Sequence, residues 1–158
     1  MSADLAAKIR LGLEEFASVR EQMSPLIAKP SGSEAGDMET AAASAMLHSF
    51  YTEIEKILKL IARECDGRIP SSDAWHKELL NQIAAPTNTR PAVITSGLVE
   101  ILSEFLAFRH LFRGASIALM RWDKLSPLVA KVDQTYLQTR QELETFQEFL
   151  QSGSKPAQ

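Results

Sequence analysis

Long amphipathic stretches between a few clustered helix breakers constrain this chain more than any other feature. Only seven glycines and seven prolines occur in its 158 residues, several of them gathered at 25–36, 67–70 and 86–91. Between the clusters apolar residues recur in steps of three and four, which aligns them along one face of a helix with about 3.6 residues per turn. Leu5, Ile9, Leu13, Phe16, Val19 and Met23 mark a first helix over about 3–23, which Pro25 and Pro30 end or kink. Leu47, Phe50, Tyr51, Ile54, Leu58 and Ile61 mark a second, over about 37–64, with Asp37 as its expected N-cap and Asp66-Gly67 as its close. A shorter helix carries Trp75, Leu79, Leu80 and Ile83, with Ser72 or Asp73 as its cap. A fourth carries Ile94, Leu98, Ile101, Leu102, Phe105, Leu106 and Phe112. The last starts near Trp122–Pro127, where Pro127 suits a first-turn position, and runs through Leu128, Val132, Tyr136, Leu143, Phe146 and Leu150. No alternating strand pattern and no internal repeat interrupts this series. The expected fold is all-α: an antiparallel four-helix bundle with one additional short helix. Residues 1–151 are read as a single domain and 152–158 as a flexible tail.

A chain of this length builds one core. Its formal net charge is −3, so it lacks the overall basic surplus of a dedicated duplex-binding domain, and nucleic acid could be met only by a local patch. Cys65 is the single cysteine, which excludes an intramolecular disulfide and a zinc site built on paired cysteines. No run of apolar residues reaches the length of a membrane span and the N-terminus lacks a signal-peptide core, so a cytoplasmic protein without a membrane partner is expected.

Glycine-rich phosphate loops, paired-cysteine metal spacings, the His-Glu-x-x-His zinc motif and the Gly-x-Ser-x-Gly elbow are all missing, and neither a cofactor nor a metal is expected. His48 reads as a helix-flank residue hydrogen-bonded to a neighbour, and His76 as a structural or surface group. The segment that stands out is Phe105-Leu106-Ala107-Phe108-Arg109-His110-Leu111-Phe112-Arg113. Arg109 and Arg113, four apart, share a helix face, and His110 is adjacent. Arginine can hold a phosphate and stabilise developing negative charge, while histidine can take a 2′-hydroxyl proton or protonate a leaving oxygen. Arg109 and His110 are therefore the catalytic candidates, and Arg109 and Arg113 the candidates for binding RNA phosphates. The alternative for all three is a solvated face with salt bridges to the bundle. Phe105, Phe108 and Phe112 add more aromatic mass than the inner side of one helix usually needs, which suggests an exposed interface patch.

With these residues in view, the chain resembles the HepT-like family of the HEPN superfamily. Three pieces carry the resemblance: Leu47-His48-Ser49-Phe50-Tyr51-Thr52-Glu53-Ile54-Glu55-Lys56-Ile57, Trp75-His76-Lys77-Glu78-Leu79-Leu80, and Phe108-Arg109-His110-Leu111-Phe112-Arg113 followed by Trp122-Asp123-Lys124-Leu125. The resemblance implies a HEPN-type bundle that homodimerises and belongs to toxin–antitoxin pairs, in which the toxin cleaves RNA without metal at a site in the dimer cleft. A minimal nucleotidyltransferase antitoxin then silences it by adding AMP to a tyrosine. The family motif is an arginine, a polar residue, a histidine a few positions on, and a tyrosine two residues later. Arg109 matches the arginine, His110 the polar residue and Arg113 a basic residue often present there. The motif histidine falls on Gly114 and the tyrosine on Ser116, and the segment through Arg121 diverges as a block. Three readings follow: a dimeric module that binds RNA or a nucleotidyltransferase with weak or no ribonuclease activity; an active metal-independent endoribonuclease using Arg109 and His110; and a purely structural helical interaction domain.

Overall fold

The computed structural model describes residues 2–30, 32–114 and 120–153. All regular structure among them is helical: α1 (Ser2–Gln22), α2 (Ser24–Ile27), α3 (Asp37–Ile61), α4 (Trp75–Ala84), α5 (Ser96–Gly114) and α6 (Trp122–Ser152). The four long helices form the bundle. The apolar stripes read from the sequence are its core, with Ile9, Phe16, Phe50, Ile54, Leu58, Leu102, Phe105 and Val132 at or near zero exposure.

Pairs between helices fix the directions. Lys8 meets Glu64 and Glu15 meets Lys56, so α1 and α3 run antiparallel. Ala6 accepts from Gln147, and Arg20 pairs with Asp133, so α1 and α6 do too. Thr95 donates to Glu142 and Lys131 pairs with Glu104, which sets α5 against α6. Helix α3 packs on α1, α5 and α6 and is the element around which the others are arranged. It meets α1 closely at Gly12, where a Cβ would lie 2.7 Å from Cγ1 of Ile57. Glycine is required there by space rather than by backbone conformation.

Several local expectations are corrected. The N-cap of α3 is Gly36, and Asp37 is the first helical residue, where its charge still complements the helix dipole. The N-cap of α4 is Ala74; Ser72 instead accepts from the Ala74 amide and donates to Glu78, so neither Ser72 nor Asp73 caps the helix. Helix α3 passes at Ile61 into a π-helical turn, Ala62–Asp66, which Gly67 closes at the expected place in the left-handed conformation. The expected short helix is α4. A further single turn, α2, precedes α3, because Pro25 sits in a first turn, where its missing N–H costs nothing. Pro127 is the sixth residue of α6, inside the helix, where it has no N–H to return to the carbonyl one turn earlier. Trp75 and Trp122 do open their helices. Trp122 is half-buried, and its indole N–H donates to the Ser33 carbonyl at 2.9 Å, which ties the start of α6 to the loop before α3. The aromatic residues of α5 turn inward, with Phe105 and Phe108 buried and Phe112 partly so, and no exposed aromatic patch results. Ser116, and positions 154–158 of the expected tail, lie outside the described residues. No described helix is long and apolar enough to cross a membrane.

The loop after α4 is held by Arg90, whose side chain is 1% exposed. Its Nε and Nη2 donate to the two Asp66 oxygens at 2.8 and 2.7 Å. Nη1 donates to the Ala85 and Pro91 carbonyls, and Nη2 also to that of Gln82. Burial alone pushes the Asp66 carboxyl up, but the Arg90 guanidinium and the Gln82 amide outweigh it and hold the group below the ordinary carboxylate value. Replacing Arg90 with Met should cost about 3–5 kcal/mol, because the Asp66 charge is left buried. A carboxyl held low favours the fold above its unfolded pKa of about 3.9, and that contribution is lost as pH falls through the folded value. The wild-type advantage over Arg90→Met in urea denaturation should therefore be full at neutral pH and shrink below about pH 4.

Candidate functional site

Three helices bring polar groups to one place. On α3, His48, Tyr51 and Glu55 follow each other at helical spacing and face α5. From α5 comes Arg109, and from the first turn of α4 comes His76. The Glu55 side chain is 5% exposed. Its Oε1 accepts from Nη1 of Arg109 at 2.5 Å and its Oε2 from Nδ1 of His76 at 2.6 Å. A carboxylate can only accept, so Nδ1 of His76 carries a proton, and the 3.4 Å approach of Nη1 to Nδ1 is that of two donors bonded to the two oxygens of one carboxylate. Trp75 stacks on the His76 ring at 3.6 Å between centroids, with the Lys59 ammonium 5.1 Å from the indole centroid. The Arg109 guanidinium lies 5.8 Å from the Tyr51 ring centroid, within cation–π range.

Around this core, buried polar atoms are left over. Among the described residues, Nε of Arg109, the Tyr51 hydroxyl and Nδ1 of His48 have no hydrogen-bond partner. Burial, and then the Glu55 carboxylate, drive the Tyr51 phenol far above its ordinary range, so it remains a donor at any physiological pH. Burial and the charges of Arg109 and Arg113 push His48 below the usual histidine value, with Glu55 opposing more weakly. The hydrogen bond expected for His48 is not made; its ring packs on Phe112 at 5.2 Å. The lone thiol, Cys65, is pushed up by burial and is not poised as a nucleophile.

The residues singled out from the sequence are divided by this arrangement. Arg109 is half-buried and bound to Glu55. Arg113, one turn on, is exposed, as is His110, whose ring meets His76 edge-on at 5.5 Å. Between them Leu111 is 58% exposed. Arg109 and Arg113 therefore share a helix edge but not an environment. Gly114 ends α5 and brings no side chain. Glu55 and His76 were not singled out as site residues. The available signal was a carboxylate inside the apolar stripe of α3 between Ile54 and Leu58, a position that needs a buried partner. No group of three or more metal-ligating side chains occurs among the described residues.

The family model for HepT-like proteins matches residues 42–150, which takes in α4 and α5 and most of α3 and α6. The chain belongs to the HepT-like family. No curated protein and no solved structure matches the chain. The matched region of this HepT-like protein contains the whole Glu55–His76–Arg109 cluster, whereas α1 and α2 lie outside it.

The two arginines should respond differently to truncation. Arg109→Ala removes the arginine from the buried Glu55 carboxylate, leaving it the His76 contact, and should lower stability by about 3–5 kcal/mol. Arg113→Ala, at an exposed position, should stay within about 0.5 kcal/mol of wild type. Chemical denaturation measures both, and equal effects would contradict the division.

Proposed function

We propose that this HepT-like protein is a homodimeric binding module of the toxin–antitoxin lineage, acting in the cytoplasm. It engages RNA, or a minimal nucleotidyltransferase antitoxin, through the C-terminal part of α5, and its ribonuclease activity is weak or absent. The observation that carries this reading is the state of the motif arginine. Arg109 is bound by Glu55 inside the fold rather than presented in an open cleft, and the position that would supply the motif imidazole is Gly114. In-line attack on RNA needs a proton acceptor and gains from a proton donor, together worth on the order of 10²–10⁴-fold. A glycine supplies neither. His110 lies one turn before it, and catalysis loses heavily when a group is displaced by even an ångström. Exposed Arg113, His110 and Leu111 still give phosphate-binding and apolar character to one surface, which suits a partner without requiring chemistry.

The alternative, metal-independent cleavage by Arg109 and His110, is favoured by one observation: His110 is exposed and within edge contact of the His76 ring beside Arg109. The two readings separate in a single assay. Wild type and the double variant Gly114→His, Ser116→Tyr are incubated with RNA in EDTA. Little cleavage is expected from wild type. Efficient EDTA-resistant cleavage by wild type that disappears in His110→Ala would overturn the binding reading and make His110 catalytic.

A further inference from the structure

A phosphate-binding arginine acts through its guanidinium, and in this fold a carboxylate already holds that group. Glu55 reaches Nη1 of Arg109 at 2.5 Å from the facing helix, and both side chains are mostly withdrawn from solvent. One turn along the same helix edge, Arg113 is exposed and available to a polyanion. A strand of RNA bound at Arg113 would therefore place its next phosphates beside an arginine already carrying a counter-anion. The contact that holds Arg109 is also not a fully satisfied one. Nε of the same guanidinium is buried without a partner among the described residues, and so are the neighbouring Tyr51 hydroxyl and His48 Nδ1. Buried polar groups left unpaired weigh against the arrangement that strands them. Glu55 is moreover shared, because its other oxygen, Oε2, is bonded to Nδ1 of His76. A guanidinium with an unsatisfied N–H and a divided counter-ion is poised to exchange that counter-ion for a phosphodiester, which it can grip through two parallel N–H bonds.

We propose that Glu55 is an internal latch on Arg109: it occupies the arginine in the free protein, and an RNA phosphate must displace it. The contact is an autoinhibitory one and sets the RNA affinity of the α5 surface. Arg113 makes the standing phosphate contact, and Arg109 the one gained on release. This inference rests on the RNA-binding reading above, and its test separates the two.

Fluorescein-labelled oligouridine is titrated by anisotropy, in EDTA and at several salt concentrations, with the full-length wild type, Glu55→Gln, Glu55→Asp, and Glu55→Gln combined with Arg109→Met. Glutamine keeps a hydrogen-bond acceptor for His76 but removes the charge that retains the guanidinium. Aspartate keeps the charge but withdraws it by one methylene, which serves if Glu55→Gln fails to fold. The latch predicts that Glu55→Gln binds about tenfold more tightly. The slope of log affinity against log salt should steepen by about 0.7 for the added phosphate contact. Glu55→Asp should shift in the same direction, and adding Arg109→Met should abolish the gain. Folded Glu55 variants that bind with wild-type affinity and slope, or a gain that survives Arg109→Met, would overturn the latch while leaving wild-type RNA binding intact. No binding by any of the proteins at low salt would overturn the RNA-binding reading and the latch with it.

Discussion

A carboxylate on the buried face of a helix is costly unless cations or donors answer it, because removing an ion from water costs several kcal/mol even after relaxation. Glu55 is such a group, and the answer comes from two other helices, with Arg109 from α5 and His76 from α4. Neither contact is local in sequence, so both exist only when α3, α4 and α5 are docked. The cluster therefore ties the position of the short helix to that of the motif-bearing helix. It lies along the side of α5 whose Phe105 and Phe108 join the core, while His110, Leu111 and Arg113 remain outside. The Arg90–Asp66 pair does a comparable job at the other end of α4, fastening the following loop to the π-helical turn. Short α4 buries Leu79, Leu80 and Ile83 in the core, and polar contacts at both ends add to that anchoring.

Much of the fold was legible in the sequence because apolar periodicity is imposed by burial itself. The stripes on α1, α3, α5 and α6 are the core, and Gly67 ends α3 through the left-handed conformation that glycine allows. Capping was less legible. Asp37, Ser72 and Asp73 have the right chemistry for N-caps, but Gly36 and Ala74 take those places. Several residues in each loop could do the work, and the decision rests on backbone geometry that composition does not carry. Pro127 could not be placed by its first-turn preference, since α6 begins five residues earlier, at Trp122.

The site was legible only in part. Arg109 was recognisable from its spacing to Arg113 and from the family motif, but its partner was not. Glu55 and Arg109 are 54 residues apart, and nothing in one sequence joins them. His76 appeared as a structural or surface group, and the structure adds what it is bonded to. The aromatic residues of α5 gave a misleading signal. Their number suggested an outer patch, yet Phe105 packs on Phe50 at 5.3 Å, because α3 supplies an aromatic surface that accommodates them. Membership of the HepT-like family sets the lineage, whereas chemistry depends on the particular side chains at the site. In this chain those side chains bind one another before they bind anything else.

The Glu55–Arg109 contact should couple α3 and α5 energetically. A double-mutant cycle measures it directly: wild type, Glu55→Gln, Arg109→Met and the double variant, each denatured in urea at neutral pH. A buried, directly bonded pair predicts a coupling of about 1–3 kcal/mol, with the double variant far more stable than the sum of the single losses implies. Losses that add to within about 0.5 kcal/mol would contradict it, and would mean that the carboxylate and the guanidinium do not hold each other in solution.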